Sequence, residues 1–484
     1  MRILFAITGV YASEPLGVMQ LIAICKNAGY MVKLITLQRH DLVEVVKSWQ
    51  PDVVAYSTMT VEMPLISDVD SKLVGYINKS KKKIFRVMGG PHPTYFPKVI
   101  SDLRLDAICQ GDGDIAILEL LGRIRNNEEI KGIGNIATSP SGAESLQLVD
   151  KLDELPFLDR DCIYENAPYY KQIGFRCFYA SRGCPYLCTY CFNSAFNSMF
   201  KQSGKLLRRK SVERLISEIE FTIKNYSPVK FIRFGDDTFV YRVDDWLKEF
   251  AKSYKTRINI PFYCLMRSNT LTEETASLLS EAGCISISMS IESGVERIRN
   301  GILKRNISDK LLIESLEIAK RHKINVWAST MVGIPTSTLE DDLVSLEFVR
   351  KVRPDVPYFG ICTPYPGTEL WDIAVKTGML DPEDKIWQSF QDKSAFNCYT
   401  EKEKTIQQKI KELGAMYVLM PKIFVPIIMK IIRSDREYKL LQYIGRLYGQ
   451  YRVSTRIFQR IIPKSPVLLA KIIIDSLRIH SPVK

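Results

Sequence analysis

The stretch Ser181–Ser194, SRGCPYLCTYCFNS, places Cys184, Cys188 and Cys191 within eight residues. The spacing C-x3-C-x2-C points to a metal site, and the count of three decides its kind. A closed structural zinc site takes four protein ligands, commonly as two Cys-x2-Cys pairs. No second pair and no histidine stands close by. Thiolates also hold iron-sulfur clusters, and three of them on a four-iron cluster leave one iron for a ligand that is not protein. On spacing alone, zinc and unrelated free thiols remain the alternatives.

Outward from this loop, residues 175–380 alternate strand and helix patterns. GFRCFYAS, which leads into the cysteines, is followed by the strand candidates FIRFGDDTF, PFYCLMRS, SISMSIES, NVWASTMVGIP and VPYFGICTPYP. Between them lie helical stretches such as SVERLISEIEFTIKNY and SDKLLIESLEIAKRH. Six such units predict a partial (β/α)6 barrel with its chemistry at the carboxyl ends of the strands.

Residues 1–140 show the same α/β alternation: RILFAIT, MVKLITL, DVVAYSTMT, IFRVMGG and DAICQG read as strands. This predicts a doubly wound, Rossmann-like domain whose ligand sits outside the carboxyl ends. The opening MRILFAI is too short for a signal core and reads as a buried strand. The strand ends are small and polar: Thr8 and Gly9; Ser57, Thr58, Met59 and Thr60; Gly89, Gly90, Pro91 and His92; Gly111, Asp112 and Gly113. Turn chemistry explains any one of these loops, but four in succession point to a ligand. Residues 141–174 read as a linker, with TSPSGAESLQLVD as an exposed turn between strands, and 381–484 as a helical basic region.

At 484 residues, 46% apolar and 25% charged, the chain is folded and has several domains. Eleven cysteines at irregular spacing suit a reducing cytoplasm. Residues 401–484 hold 17 Lys and Arg against 6 Asp and Glu, a net +11 of the chain's +13. This basic, apolar tail is too interrupted by proline and lysine for a clean spanning helix. It reads either as a helical lid on the barrel or as a peripheral contact at the inner face of the membrane. No recognised nucleic-acid module accompanies the charge.

CPYLCTYC resembles the cluster loop of the radical S-adenosylmethionine (SAM) superfamily, C-x3-C-x-aromatic-C, with Tyr190 at the aromatic position. The resemblance implies that Cys184, Cys188 and Cys191 bind a 4Fe-4S cluster and carry catalysis. SAM would take the open iron through its amino and carboxylate groups and be cleaved to a 5'-deoxyadenosyl radical. Gly235, Asp236 and Asp237 in FGDDTF match the motif that binds the methionine amino group. Glu292 in SMSIESG, with Ser290 beside it, matches the strand that takes the ribose hydroxyls, and Gly333 and Ile334 in MVGIP match the strand near the adenine. Arg267 reads either as a contact to the SAM carboxylate or as a structural ion pair.

The first block resembles the cobalamin-binding domain that precedes the barrel in one branch of the superfamily, and TPYPGTEL resembles that branch's closing segment. The four polar strand ends would then line the corrin. Cobalamin domains of the methionine synthase kind carry D-x-H-x-x-G after the first strand, whereas this chain reads GVYASEPLG. His92 reads as a loop residue rather than a cobalt ligand. The resemblance implies a cobalamin-dependent radical SAM enzyme that methylates an unactivated carbon. Cyclisation or ring rearrangement by the same cofactors, and a non-catalytic cobalamin or iron-sulfur sensor, stand as alternatives. It further implies a small-molecule substrate, which the tail hints is hydrophobic or lipid-like, and an electron donor such as flavodoxin or ferredoxin.

Overall fold

The computed structural model describes residues 1–10, 13–383, 393–459, 467 and 470. The first sheet contains β1 (Arg2–Ile7), β2 (Met31–Thr36), β3 (Val53–Ser57), β4 (Phe85–Gly89), β5 (Ala107–Cys109) and β6 (Ile136–Ala137), in the order β2-β1-β3-β4-β5-β6. The first five are parallel and β6 is an antiparallel edge. Side chains alternate across a strand, so Ile3, Phe5 and Ile7 fill one apolar layer while Leu4 and Ala6 fill the other. The order reverses between β1 and β3, which puts the ligand crevice at their carboxyl ends.

All five expected strands of this block are present. The turn after β6 departs from expectation, because no strand follows it. Asn135 holds the returning chain instead: its Oδ1 accepts from Gln147 N–H at 2.8 Å and its Nδ2 donates to the Gln147 carbonyl at 2.8 Å. Residues 141–174 are well packed, with Leu152, Ile163 and Tyr170 buried.

The second sheet begins at β7 (Phe175–Phe178). A short antiparallel pair, β8 (Ser181–Arg182) and β9 (Arg208–Arg209), precedes β10 (Phe231–Phe234), β11 (Phe262–Met266), β12 (Cys284–Met289), β13 (Asn325–Val332) and β14 (Val356–Ile361). The order β7-β10-β11-β12-β13-β14 is parallel throughout and follows the chain, as an open six-stranded barrel requires. Its outer helices start on side-chain caps: Ser211, Asp244, Thr272, Ser308 and Thr338 each accept from an N–H three residues on.

The helix Glu401–Leu419 packs on β14 and closes the open edge, with Gly414 against the Phe359 ring. Helices Val425–Arg433 and Lys439–Arg452 pack on it in turn. The chain then passes under the barrel, where Phe458 meets Phe175, Phe231, Tyr263 and Trp327 at 5.3–6.3 Å between ring centroids. These partners belong to the amino-terminal part of their strands, so this segment plugs the end opposite the cysteines. Beyond Gln459 the expected basic region lies outside the described residues, apart from Val467 and Ala470, as do Tyr11 and Ala12. Among the described residues no helix is long and apolar enough to cross a membrane.

A buried ion pair joins the two sheets. Glu14, in the loop after β1, accepts from Arg160 Nη1 at 2.5 Å and from the Cys177 N–H of β7 at 2.6 Å. Removing one partner of such a pair leaves an uncompensated buried charge. Arg160→Ala is expected to cost about 3–5 kcal/mol of stability in chemical denaturation.

Candidate active site

The cysteine loop emerges from β8 at the carboxyl end of the barrel. Gly183 precedes Cys184 with φ +90°, and a Cβ there would lie 2.1 Å from the Leu206 carbonyl oxygen, so only glycine fits. Cys184 and Cys188 are buried, and Cys191 opens the helix Phe192–Met199. With Arg267 and Glu292 the three thiols line a cavity of about 260 Å³. Among the described residues, no three His, Cys, Asp or Glu side chains converge as one metal ion requires. A four-iron cluster takes each thiolate on a different iron, so this donor set fits it. Burial raises the Cys184 thiol and pushes Cys191 up to about 11, so cluster binding must displace protons.

Arg267 makes no salt bridge to a carboxylate among the described residues, and its Nε donates to Asn269 Oδ1 at 2.9 Å. Its Nη1 lies 3.2 Å from Cys188 Sγ, its Nη2 donates to the Arg305 carbonyl, and its guanidinium stacks on Tyr186 at 3.9 Å. Across the cavity, the Tyr190 hydroxyl donates to Glu292 Oε1 at 2.9 Å and accepts from Arg305 Nη1 at 2.8 Å. Arg305 Nη2 also donates to the Ser290 carbonyl at 3.0 Å. Glu292 has φ +62°, a left-handed conformation that costs a non-glycine residue of order 1–2 kcal/mol. Two backbone bonds to β13 hold it there: its N–H donates to the Ser329 carbonyl at 3.0 Å, and its carbonyl accepts from Met331 N–H at 2.8 Å.

The adjacent carboxylates of FGDDTF separate. Asp237 lines the cysteine cavity, and burial raises its pKa. Asp236 does not line it. Its carboxylate accepts from the Ala180 and Ser181 N–H groups and the Ser181 hydroxyl, and burial outweighs these bonds to push its pKa up to about 6. Asp236 therefore braces the β7–β8 turn. Gly333 and Ile334 also stand off the cavity lining: Gly333 N–H donates to buried Asp342 at 3.0 Å, and Ile334 joins an apolar cluster with Trp371 and Phe396.

A second cavity, about 370 Å³, lies between the two sheets. Ser57, Gly90, Gly111, Asp112 and Gly113 line it from the first sheet, and Tyr179, Arg182, Gly235 and Asp237 from the barrel. Gly89 lines a smaller apolar pocket of about 60 Å³ that shares Ser57, Gly90 and Gly113. Gly90 has φ +97°, and a Cβ there would meet the Thr58 backbone N at 2.9 Å. Arg182, two residues before Cys184, grips Asp114 with bonds of 2.7 and 3.0 Å, and Arg208 pairs with Asp112.

The other candidates of the first domain serve the loops themselves. Thr8 bonds Glu62, Gly9 abuts Gln38, Thr58 N–H donates to the Gly89 carbonyl, and Met59 N–H donates to Glu62. Pro91 opens a short helix. His92 is buried, with Nδ1 3.2 Å from Thr60 Oγ1 and its ring stacked on Phe96 at 5.0 Å. Burial lowers its pKa to about 4. Sequence reasoning missed Arg182, Asp114 and Arg305. Arg182 and Asp114 lie within SRGC and GDGD, where a strand-end position was readable, whereas nothing marks Arg305 within GILKRN.

Fold and site together define a barrel enzyme of the radical SAM type with a cobalamin domain in front. Residues 178–349 match the Radical SAM superfamily and residues 4–121 the B12 binding domain. An uncharacterized methyltransferase of Pyrococcus horikoshii is 30% identical over 380 residues, 76% of this chain and 79% of that protein. Cytidylyl-2-hydroxyethylphosphonate methyltransferase of Streptomyces wedmorensis is 23% identical over 439 residues, 77% and 80% of the two chains. The fold is shared with OxsB, a cobalamin-dependent S-adenosylmethionine radical enzyme solved with aqua-cobalamin and S-adenosylmethionine bound. The TM-score is 0.69 at 14% identity, covering 99% of this chain and 75% of that one. The chain belongs to the cobalamin-dependent radical SAM methyltransferase family, and its cofactors are a 4Fe-4S cluster, SAM and cobalamin.

His92 gives a pH test. Burial lowers its pKa from the ordinary value of about 6.5 to about 4, so its contribution to stability is present above pH 6.5 and lost as pH falls through 4. Denaturation midpoints should fall on that limb by the equivalent of about 2–3 kcal/mol. The slope should flatten in His92→Gln.

Proposed function

We propose that this enzyme methylates an unactivated carbon of a small-molecule substrate. With all three cofactors bound, SAM cleavage at the cluster supplies a hydrogen-abstracting radical and cobalamin supplies the methyl group. The chain's own part is placement. Cys184, Cys188 and Cys191 hold the cluster, and Arg267 donates toward Cys188. The Glu292–Tyr190–Arg305 network offers a carboxylate for the ribose hydroxyls, with Ser290 beside it, and Asp237 offers one for the methionine ammonium. Gly90, Gly111 and Gly113 let the first sheet's backbone approach the corrin, and the Ser57 hydroxyl offers it a hydrogen bond.

The observation that carries this reading is that Asp237 lies in the wall of both the cysteine cavity and the inter-sheet cavity. A substrate carbon at that wall would face both reactive groups, which methyl transfer requires and a sensor does not. The electron arrives from a donor such as flavodoxin or ferredoxin, and eleven free thiols suit the reducing cytoplasm.

Anaerobic turnover with the true substrate should form S-adenosylhomocysteine and 5'-deoxyadenosine in equal amounts. Formation of 5'-deoxyadenosine without S-adenosylhomocysteine would replace methylation by cyclisation or rearrangement. No reductive SAM cleavage by an enzyme with an intact cluster would remove the catalytic reading altogether.

A further inference from the structure

Helix Lys439–Arg452 is packed inside out. Its buried positions are Gln442 and Gly445. Gln442 Nε2 donates to Glu412 at 2.5 Å, and a Cβ on Gly445 would lie 2.3 Å from the Glu412 carbonyl oxygen, so a polar and a small residue face the protein beside half-buried Leu441. The face turned outward carries Leu440, Tyr443, Ile444, Leu447 and Tyr451, with Leu440 74% exposed. Their spacing of three and four residues makes one continuous apolar stripe. A helix that served only the core would bury it.

The preceding segment repeats the arrangement. Ile428 and Ile432 of helix Val425–Arg433 are buried, while Ile423, Phe424 and Ile427 are exposed, Ile423 by 75%. The charge around these faces is one-sided: residues 420–459 hold eight Lys and Arg against two Asp and Glu. Lys422 and Lys430 are exposed and make no salt bridge among the described residues. A cavity of about 630 Å³ borders the same helix at Tyr448 and Arg452, and its charged lining includes Lys320, Lys351 and Arg353 with Glu317 and Asp355.

We propose that these two outward apolar faces dock the enzyme on the surface of an anionic lipid bilayer. Exposed Ile, Leu, Phe and Tyr would enter the interface while Lys and Arg meet acidic headgroups, as in helices that lie in a membrane plane without crossing it. A second copy of this chain is the poorer occupant, because it would bring the same positive charge against the same positive rim. The chain that follows this helix packs Phe458 against Phe231 and Tyr263 at the amino-terminal end of the barrel, opposite the cysteines. The inference concerns attachment and depends on no step of the reaction.

The test is co-sedimentation of the full-length holoenzyme with vesicles of phosphatidylcholine, with and without about 30 mol% phosphatidylglycerol. Binding is expected only to the anionic vesicles, at least about tenfold above the zwitterionic ones, and should weaken at high salt. The triple variant Leu440→Glu, Ile444→Glu, Leu447→Glu should lose that binding while keeping SAM cleavage. Should that variant misfold, Lys422→Glu with Lys430→Glu should show the same loss. Absence of binding to anionic vesicles, or equal binding by parent and correctly folded variants, overturns the proposal. So does a dimer of the parent that the triple variant abolishes without any vesicle binding.

Discussion

The rest of the structure depends on the buried Glu14–Arg160 pair. A carboxylate inside a protein is costly unless its oxygens are satisfied: Glu14 Oε2 accepts from a guanidinium and a backbone N–H of β7, and Oε1 accepts from the Tyr164 hydroxyl at 3.3 Å. That arrangement fastens the loop after β1 to the strand that leads into the cysteines. The acid of that loop thus holds the two sheets together. Arg182 with Asp114, and Arg208 with Asp112, repeat the fastening across the opening. The carboxyl ends of two separate sheets are thereby held face to face, and the cavity between them is a consequence of those three pairs.

Within the barrel, position is set before any ligand arrives. The positive φ at Gly183 turns the chain into the three-cysteine loop, and that at Glu292 turns its carboxylate off the strand. Tyr190 and Arg305 then lock that carboxylate. Backbone strain at Glu292 would be relieved by an ordinary strand end. Its persistence is held by bonds to Ser329 and Met331, so the strain belongs to the site.

The strands were legible because parallel strands buried on both faces read as short apolar runs, and the cysteine spacing was legible because ligand count and spacing are local. What faces the cavity was not. Asp236 and Asp237 are neighbours with the same chemistry, and which one turns inward depends on N–H groups at Ala180 and Ser181, more than fifty residues earlier in the chain. His92 sits among candidate ligands in sequence, yet Thr60 and Phe96 enclose it. Phe458 lies in a basic, irregular stretch with no periodicity to assign it to a barrel. Its four aromatic partners come from four different strands.

The central claim is that the two cavities sharing Asp237 form one active site. The direct measurement is electron paramagnetic resonance of holoenzyme carrying cob(II)alamin and a reduced cluster together. The account requires the cobalt signal to be broadened by dipolar coupling to the cluster, and to sharpen in a Cys188→Ala variant that lacks it. An identical, unbroadened cobalt signal in both proteins would contradict it.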